Sequence, residues 1–247
     1  MIKKKMRFSI LFICSFGILN IAKAQSYNIE SFEGTKTKIN LTEVLRGRVL
    51  VVSCLGDSLF VNDYIAVKEV HVLSKRFLEI NYNGGGGTGS DVSNTLLLSV
   101  NKAKITVSML VTSYASWFSP NPDNTNSIDK KGLYTLKLIM AGNDKSNYRL
   151  SISIHDQLSS KLHPRTSYNK NERVTLSFDP IQNIFYSASK IINQSFIIND
   201  PKTQRSGKQQ ISGTLPIIDL GKNKYYYIKG EWYGRGYDDN LFKGYYK

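Results

Sequence analysis

The sequence predicts an all-β protein, a mostly antiparallel β-sandwich or barrel of about ten to twelve strands with at most one or two short helices. Three observations predict it. Between Tyr64 and Tyr114, two apolar, β-branched segments meet at a run of four glycines, Gly84 to Gly87. Their Val67, Val70, Val72, Ile80, Leu96, Leu98, Val100, Ile105, Val107 and Val111 are residue types that suit a pleated, half-buried surface. Tyr134, Leu136, Leu138 and Met140 alternate with other residues and are answered across Gly142-Asn143-Asp144 by Tyr148, Leu150, Ile152 and Ile154, which specifies a hairpin and its register. Only Ile184 to Gln194 carries apolar residues at helical spacing, through Ile184, Ala188, Ile191 and Ile192, and its β-branched content makes a strand competitive.

The N-terminus reads as a secretory signal. Lys3, Lys4, Lys5 and Arg7 precede an apolar run from Phe8 to Ile21, and Ala22-Lys23-Ala24 offers the small residues of a cleavage site. That run is shorter than the ~20 residues a helix needs to cross a bilayer, so no membrane span is expected once the signal is removed. The exit sequence resembles that of exported proteins of a Gram-negative group, which places the chain in the periplasm or outside the cell. Removing residues 1–24 leaves 223 of the 247 residues. It takes away five basic side chains, Lys3, Lys4, Lys5, Arg7 and Lys23, and no acidic one, so the formal charge falls from +14 to +9. Residues 25–247 are expected to form a single β-rich domain, in which a division into two lobes would fall near residues 119–131. Cys54 is the one cysteine of that part, so it has no partner for an intrachain disulfide and reads as a small buried hydrophobe.

Along the chain, Asn40 to Gly47 could make one or two helical turns, with Asn40 as cap and Gly47 as stop. Arg48 to Leu55 reads as a strand covered on both faces. Ile105, Val107, Met109 and Val111 share one face, which Trp117 continues if the alternation holds. Pro120 to Asn124 is a loop by composition. Val174, Leu176 and Phe178 mark another alternating strand, Gln157 to Asn171 and Asp200 to Gln209 read as polar loops, and Lys224 to Trp232 reads as one aromatic strand.

Chemistry is sparse. Gly56-Asp57-Ser58-Leu59 follows an apolar strand and resembles the nucleophile block of GDSL esterases, which implies Ser58 as nucleophile with a histidine as its base. That family pairs the serine with a late Asp-x-x-His block. Here the residues three before His71, His155 and His163 are Lys68, Ile152 and Ser160, and the family's Gly-x-Asn-Asp block is missing as well. The glycine run up to Asp91 partly resembles the repeat of calcium-binding β-rolls but occurs once, and no Gly-Lys-Ser/Thr follows it as a nucleotide loop would require. The three histidines have no metal-ligand spacing, and His155 falls on the polar side of its strand, so neither a metal nor a cofactor is expected.

The C-terminal stretch is the most unusual in composition, with Tyr225, Tyr226, Tyr227, Trp232, Tyr233, Tyr237, Tyr245 and Tyr246 interleaved with basic residues. Such rings either close a β-core or stack on sugars. Trp232, Tyr233, Arg235 and Tyr237 are therefore the binding candidates. A charge of +9 favours anionic partners. For an exported chain these are envelope polysaccharide, lipopolysaccharide or an acidic protein, with nucleic acid excluded by compartment. The functional expectation is an exported, non-catalytic binding or scaffold protein of the cell envelope. The alternatives are a serine hydrolase using Ser58 and an outer-membrane β-barrel.

Overall fold

The computed structural model describes residues 23–44, 48–62, 64–85, 90–142, 147–200, 205–235 and 240–246. The protein is all-β. Its described residues form eighteen strands in three sheets, with one 3-10 turn at Pro164–Thr166 and no α-helix. It is thus not one sandwich of ten to twelve strands, because several runs that read as loops or as single strands each hold a turn and a further strand.

The first sheet takes β1 (Lys23–Glu30), β2 (Lys36–Val44), β3 (Val49–Cys54) and β4 (Asp57–Val61), and the last strand, β18 (Tyr245–Tyr246), returns to its edge beside β4. The segment expected to be helical near Asn40 is extended in β2 up to Val44. Thr37, Ile39 and Leu41 alternate into the core, and this burial outweighs the helix-capping signal. β3 is buried on one face only, through Leu50, Val52 and Cys54.

The second sheet is an eight-stranded antiparallel meander. It runs in order through β5 (Tyr64–Leu73), β6 (Phe77–Gly84), β7 (Ser90–Asn101), β8 (Lys104–Asn121), β9 (Asn124–Ala141), β10 (Arg149–Ser160), β11 (Tyr168–Asp179) and β12 (Ile184–Tyr186). The glycine run joins β6 to β7 as expected, although residues 86–89 lie outside the described ones. Residues 119–131 belong to the paired ends of β8 and β9 and to their tight turn at Pro122-Asp123. β8 pairs with β7 from Lys104 to Trp117 but with β9 only from Tyr114 onward, so the sheet opens along the first half of β8.

The third sheet is a small closed barrel of β13 (Ala188–Asp200), β14 (Arg205–Leu220), β15 (Asn223–Ile228), β16 (Glu231–Arg235) and β17 (Asn240–Phe242). It closes where β17 runs parallel to β13, Ile197 facing Asn240. The stretch with helical spacing is thus strand on both sides of Ser187, and Ile191, one of the residues that made the spacing, is 83 % exposed.

Two-residue hairpin turns set the registers. Leu55-Gly56, Lys102-Ala103 and Lys229-Gly230 all have both residues at left-handed φ, as a type I′ turn requires. The last of these splits the expected single aromatic strand into β15 and β16. Alternation then divides their rings between two cores. Tyr226, Ile228 and Leu241 fill the barrel with Phe196, Ile198, Ile211 and Ile217. Tyr225, Tyr227 and Trp232 point the other way, into the main core shared by the first two sheets. Two bonds tie the layers together: Thr112 N donates to the Tyr225 hydroxyl at 2.7 Å, and Trp232 N donates to the Tyr245 hydroxyl at 2.9 Å.

Candidate functional site

The residues expected to carry chemistry are dispersed. Ser58 sits on β4 directly across from Ser53, next to the Leu55-Gly56 turn, and Asp57 accepts a hydrogen bond from Ile105 N at 2.8 Å. The Gly-Asp-Ser resemblance therefore falls on a hairpin turn whose glycine supplies a left-handed φ of 87°. His71 lies on β5 beside Glu69, and His155 on β10 beside Asn171. Among the described residues, no hydrogen bond links Ser58 to any histidine. A serine without a base is a weak nucleophile. Ser58→Ala is accordingly expected to leave hydrolysis of a nitrophenyl ester at the level of the unaltered protein. Turnover that vanishes in the variant while circular dichroism is unchanged would restore the hydrolase.

The C-terminal candidates do not form one surface. Trp232 is fully buried in the main core. Tyr233 is half-buried against the barrel interior, and its phenol is pushed up to about 12, first by burial and then by the Glu231 carboxylate to which it donates. Arg235 is exposed, and Tyr237 lies outside the described residues. Cys54 is buried, and burial raises its thiol pKa. Among the described residues no three His, Cys, Asp or Glu side chains gather as a metal site.

What the sheet register does bring together is a polar face. Residues paired across neighbouring strands point to the same side of a sheet. From Asn83 on β6 the pairing runs through Ser93, Tyr114, Thr135 and His155 to Asn171 on β11, six strands of amide, hydroxyl, phenol and imidazole groups. Two residues along, Lys137, Ser153 and Arg173 are in register; two residues the other way, so are Ser116, Leu133, Gln157 and Asn169. The opposite face of these strands carries Leu136, Leu138, Leu150, Ile152, Val174 and Leu176, which pack in or against the main core. Along β9–β11 the polar face exists because the same alternation that buries one side leaves the other wet, whereas on β7 the row is covered, Ser93 being 2 % exposed.

Parts of this face are fixed by its own bonds. His155 Nδ1 lies 2.9 Å from Asn171 Oδ1, Lys68 Nζ donates to Ser93 Oγ at 2.7 Å, and Ser93 Oγ donates to Asn83 Oδ1 at 3.1 Å. Lys68 also stands over the Tyr114 ring, 5.2 Å from its centre. Two depressions open along this face, the first over β9–β11 and the second over β8–β10. One, of about 460 Å³, is lined by Thr135, Lys137, Ser153, His155, Asn171 and Arg173. The other, of about 440 Å³, is lined by Ser116, Phe118, Lys131, Leu133, Gln157 and Ser159. Both are of the size that holds small organic ligands.

Fixed charge at the outward strand positions has one sign, although Glu172 contributes a carboxylate to the wall of the first depression. Along the outward positions of β9–β11, from Lys131 to Ile139, Ser151 to Ser159 and Asn169 to Thr175, there are three fixed cations, Lys131, Lys137 and Arg173, and no carboxylate. None of the three cations makes an ion pair with a described residue. Phe118, 50 % exposed, adds an apolar surface at the far end, while Trp117 lies over the paired Gly132, filling space that any side chain there would need. The register shift between Ser93 and Asn94 puts an extra residue, Ser113, into β8, so the alternation that would have kept Trp117 on the face of Val111 is broken there. Sequence reading singled out only two residues of this face, His155 on the polar side of its strand and Arg173 as one of the basic residues of a loop, and Arg173 lies instead on β11. The signal was the set of residues alternating with the apolar ones, Thr135, Lys137, Ser151, Ser153 and Gln157.

Comparison with protein-family models, with curated proteins and with solved structures finds no match, so the functional reading rests on the geometry and charge of the chain itself.

Proposed function

We propose that this chain is an exported, non-catalytic binding protein of the cell envelope that holds an anionic glycan along the polar face of its eight-stranded sheet. The observation that carries the reading is the in-register row from Asn83 to Asn171 beside the unpaired cations Lys131, Lys137 and Arg173. Amides and hydroxyls offer the paired donors and acceptors that sugar hydroxyls need, Tyr114 and Phe118 offer rings, and the cations answer carboxylate, sulfate or phosphate groups. An open sheet face suits an extended polymer better than a small substrate. The overall charge of residues 25–247 adds a long-range attraction that salt screens within about 8 Å at physiological ionic strength.

The test is binding of residues 25–247 to envelope polysaccharide and to lipopolysaccharide at low and moderate salt. Lys137→Ala combined with Arg173→Ala is expected to weaken binding about tenfold, the equivalent of ~1.4 kcal/mol, and to flatten its salt dependence. Tyr233→Ala and Arg235→Ala serve as the counter-test. If they abolish binding and the sheet-face variant does not, the ligand is held by the C-terminal strand instead.

A further inference from the structure

The first sheet ends on β1, and no described strand pairs with the outer side of that strand. Which of its backbone groups face outward follows from the bonds at its end. Ser31 N donates to Thr35 O at 2.8 Å, across the β1–β2 connection, whereas Glu30 N donates away from β2, to Lys75 O at 2.7 Å. In an antiparallel pair the direction of bonding alternates residue by residue. Gln25, Tyr27 and Ile29 therefore bond to β2, while Ser26 and Asn28, both exposed, turn N–H and C=O outward.

Outer strands usually carry a device against pairing with other chains. Two others in this molecule do. β5 is interrupted by bulges between Tyr64 and Ala66 and between Val67 and Glu69, and it carries Lys68 and Glu69 at that point. The part of β11 that β12 leaves uncovered, Tyr168 to Leu176, carries Lys170, Glu172 and Arg173. β1 has neither device. It keeps register with β2 over all eight of its residues without a bulge, and Gln25 to Ile29 contain no charged residue, proline or glycine.

The side chains define what fits. On one face of β1, Tyr27 is half-buried and Ile29 buried against the main core; on the other, Ser26 and Asn28 are wet. A strand that continues the sheet has to repeat that division. β1 of a second copy does so when laid antiparallel across a two-fold axis. Length fixes the register. Lys75 already occupies the outward N–H of Glu30, so pairing stops at Ile29, and removal of residues 1–24 makes Gln25 the other end. All five residues are used only with Tyr27 opposite Tyr27. Ser26 of each copy then faces Asn28 of the other, and the two reciprocal pairs give four backbone hydrogen bonds. The α-ammonium of Gln25 comes within one residue of Glu30 of the other copy, whose carboxylate Arg76 binds at 2.5 Å.

We propose that, once residues 1–24 are removed, two copies of this chain pair through β1 of each, antiparallel with Tyr27 at the two-fold axis, joining their first sheets into one. The proposal rests on the reading of residues 1–24 as a cleaved signal and is independent of glycan binding. Five residues a side fall short of the roughly 1,000 Å² that marks a stable interface, so the dimer is weak and reversible.

Sedimentation velocity of residues 25–247 from about 10 μM to about 1 mM tests it, with a dissociation constant on the order of 0.1 mM expected. Both copies carry a formal charge of +9, so added salt is expected to strengthen the dimer, the reverse of its effect on glycan binding. Ser26→Pro removes an outward donor without touching a bond to β2, and is expected to weaken the dimer about tenfold or more. Tyr27→Cys sets two thiols directly opposite each other in a non-hydrogen-bonded pair, where mild oxidation should link them much faster than in Ser26→Cys, whose counterpart is Asn28. A chain still monomeric at the highest concentration leaves the edge to strands of other proteins and overturns the proposal. A dimer that Ser26→Pro leaves intact, or equal cross-linking of the two cysteine variants, overturns it as well. Intact mass of the exported protein checks the signal separately; a mature chain starting before Gln25 would run its extra residues into Lys75 and count against the pairing.

Discussion

Trp232→Ala is expected to destabilise the protein by about 3–5 kcal/mol, the usual cost of emptying a large aromatic site in a core. Trp232 has no exposed surface, its ring lies 5.1 Å from that of Tyr227, and its backbone N–H is held by the hydroxyl of Tyr245 on the returning strand. The cavity would open between the barrel wall and the main core, where neither side is free to collapse. A loss of that size is a large share of the ~5–15 kcal/mol that holds a typical domain together, and at this chain length it lowers the melting temperature by roughly 10 °C. Trp232→Phe should cost much less, because it keeps a ring and removes an indole nitrogen that is buried without a partner. Thermal melts of the two variants check this. An alanine variant as stable as the unaltered protein, with binding lost, would show instead that Trp232 acts as a ligand contact.

Phe77→Ala is expected to cost as much or more, about 4–5 kcal/mol at the upper end of the range for such truncations. Phe77 begins β6 and is the hub of an aromatic cluster, with ring centres 5.1 Å from Tyr148, 5.2 Å from Phe185, 5.6 Å from Phe178 and 5.9 Å from Phe32. Three of these contacts are edge-to-face, and each such pair adds about 0.5–1.5 kcal/mol beyond area burial. Phe178 and Phe185 come from β11 and β12 at the far side of the second sheet, Tyr148 immediately precedes β10 and Phe32 lies in the β1–β2 connection, so Phe77 couples the ends of the second sheet to the first. Phe77→Leu keeps most of the volume but none of the ring geometry, and chemical denaturation should place it between the alanine variant and the unaltered protein. Equal stability of the alanine and leucine variants would mean that volume rather than ring contact decides.

How far the sequence reveals this structure follows from which interactions are local. The middle of the β9–β10–β11 ladder was legible because its strands alternate strictly, and the structure pairs Leu138 with Ile152 and Ile152 with Val174 as that alternation requires, whereas its polar ends, residues 157–160 and 168–171, read as loop and are strand. The extended segment near Asn40 was not, since a cap and a stop seven residues apart mimic a short helix while the burial that decides the matter comes from other strands. The split at Lys229-Gly230 escaped notice because a lysine at left-handed φ is an unusual hairpin residue, where Asn or Asp would have announced the turn. Trp232 and Tyr233 were legible as neighbours on opposite faces of a strand, but which of two cores each ring enters depends on barrel closure. The polar face was the least legible part. Its row is assembled from the registers of five separate strand pairs, two of them interrupted by or adjoining bulges in β7–β8 and β8–β9.

The most direct measurement is the footprint of an anionic envelope oligosaccharide on the backbone amides of residues 25–247, read as chemical-shift changes in solution. The sheet-face account predicts changes concentrated at Thr135 to Lys137, Ser153 to Gln157 and Asn169 to Arg173, fading as salt is raised. Changes confined to Trp232 to Phe242, or none at low salt, would contradict it.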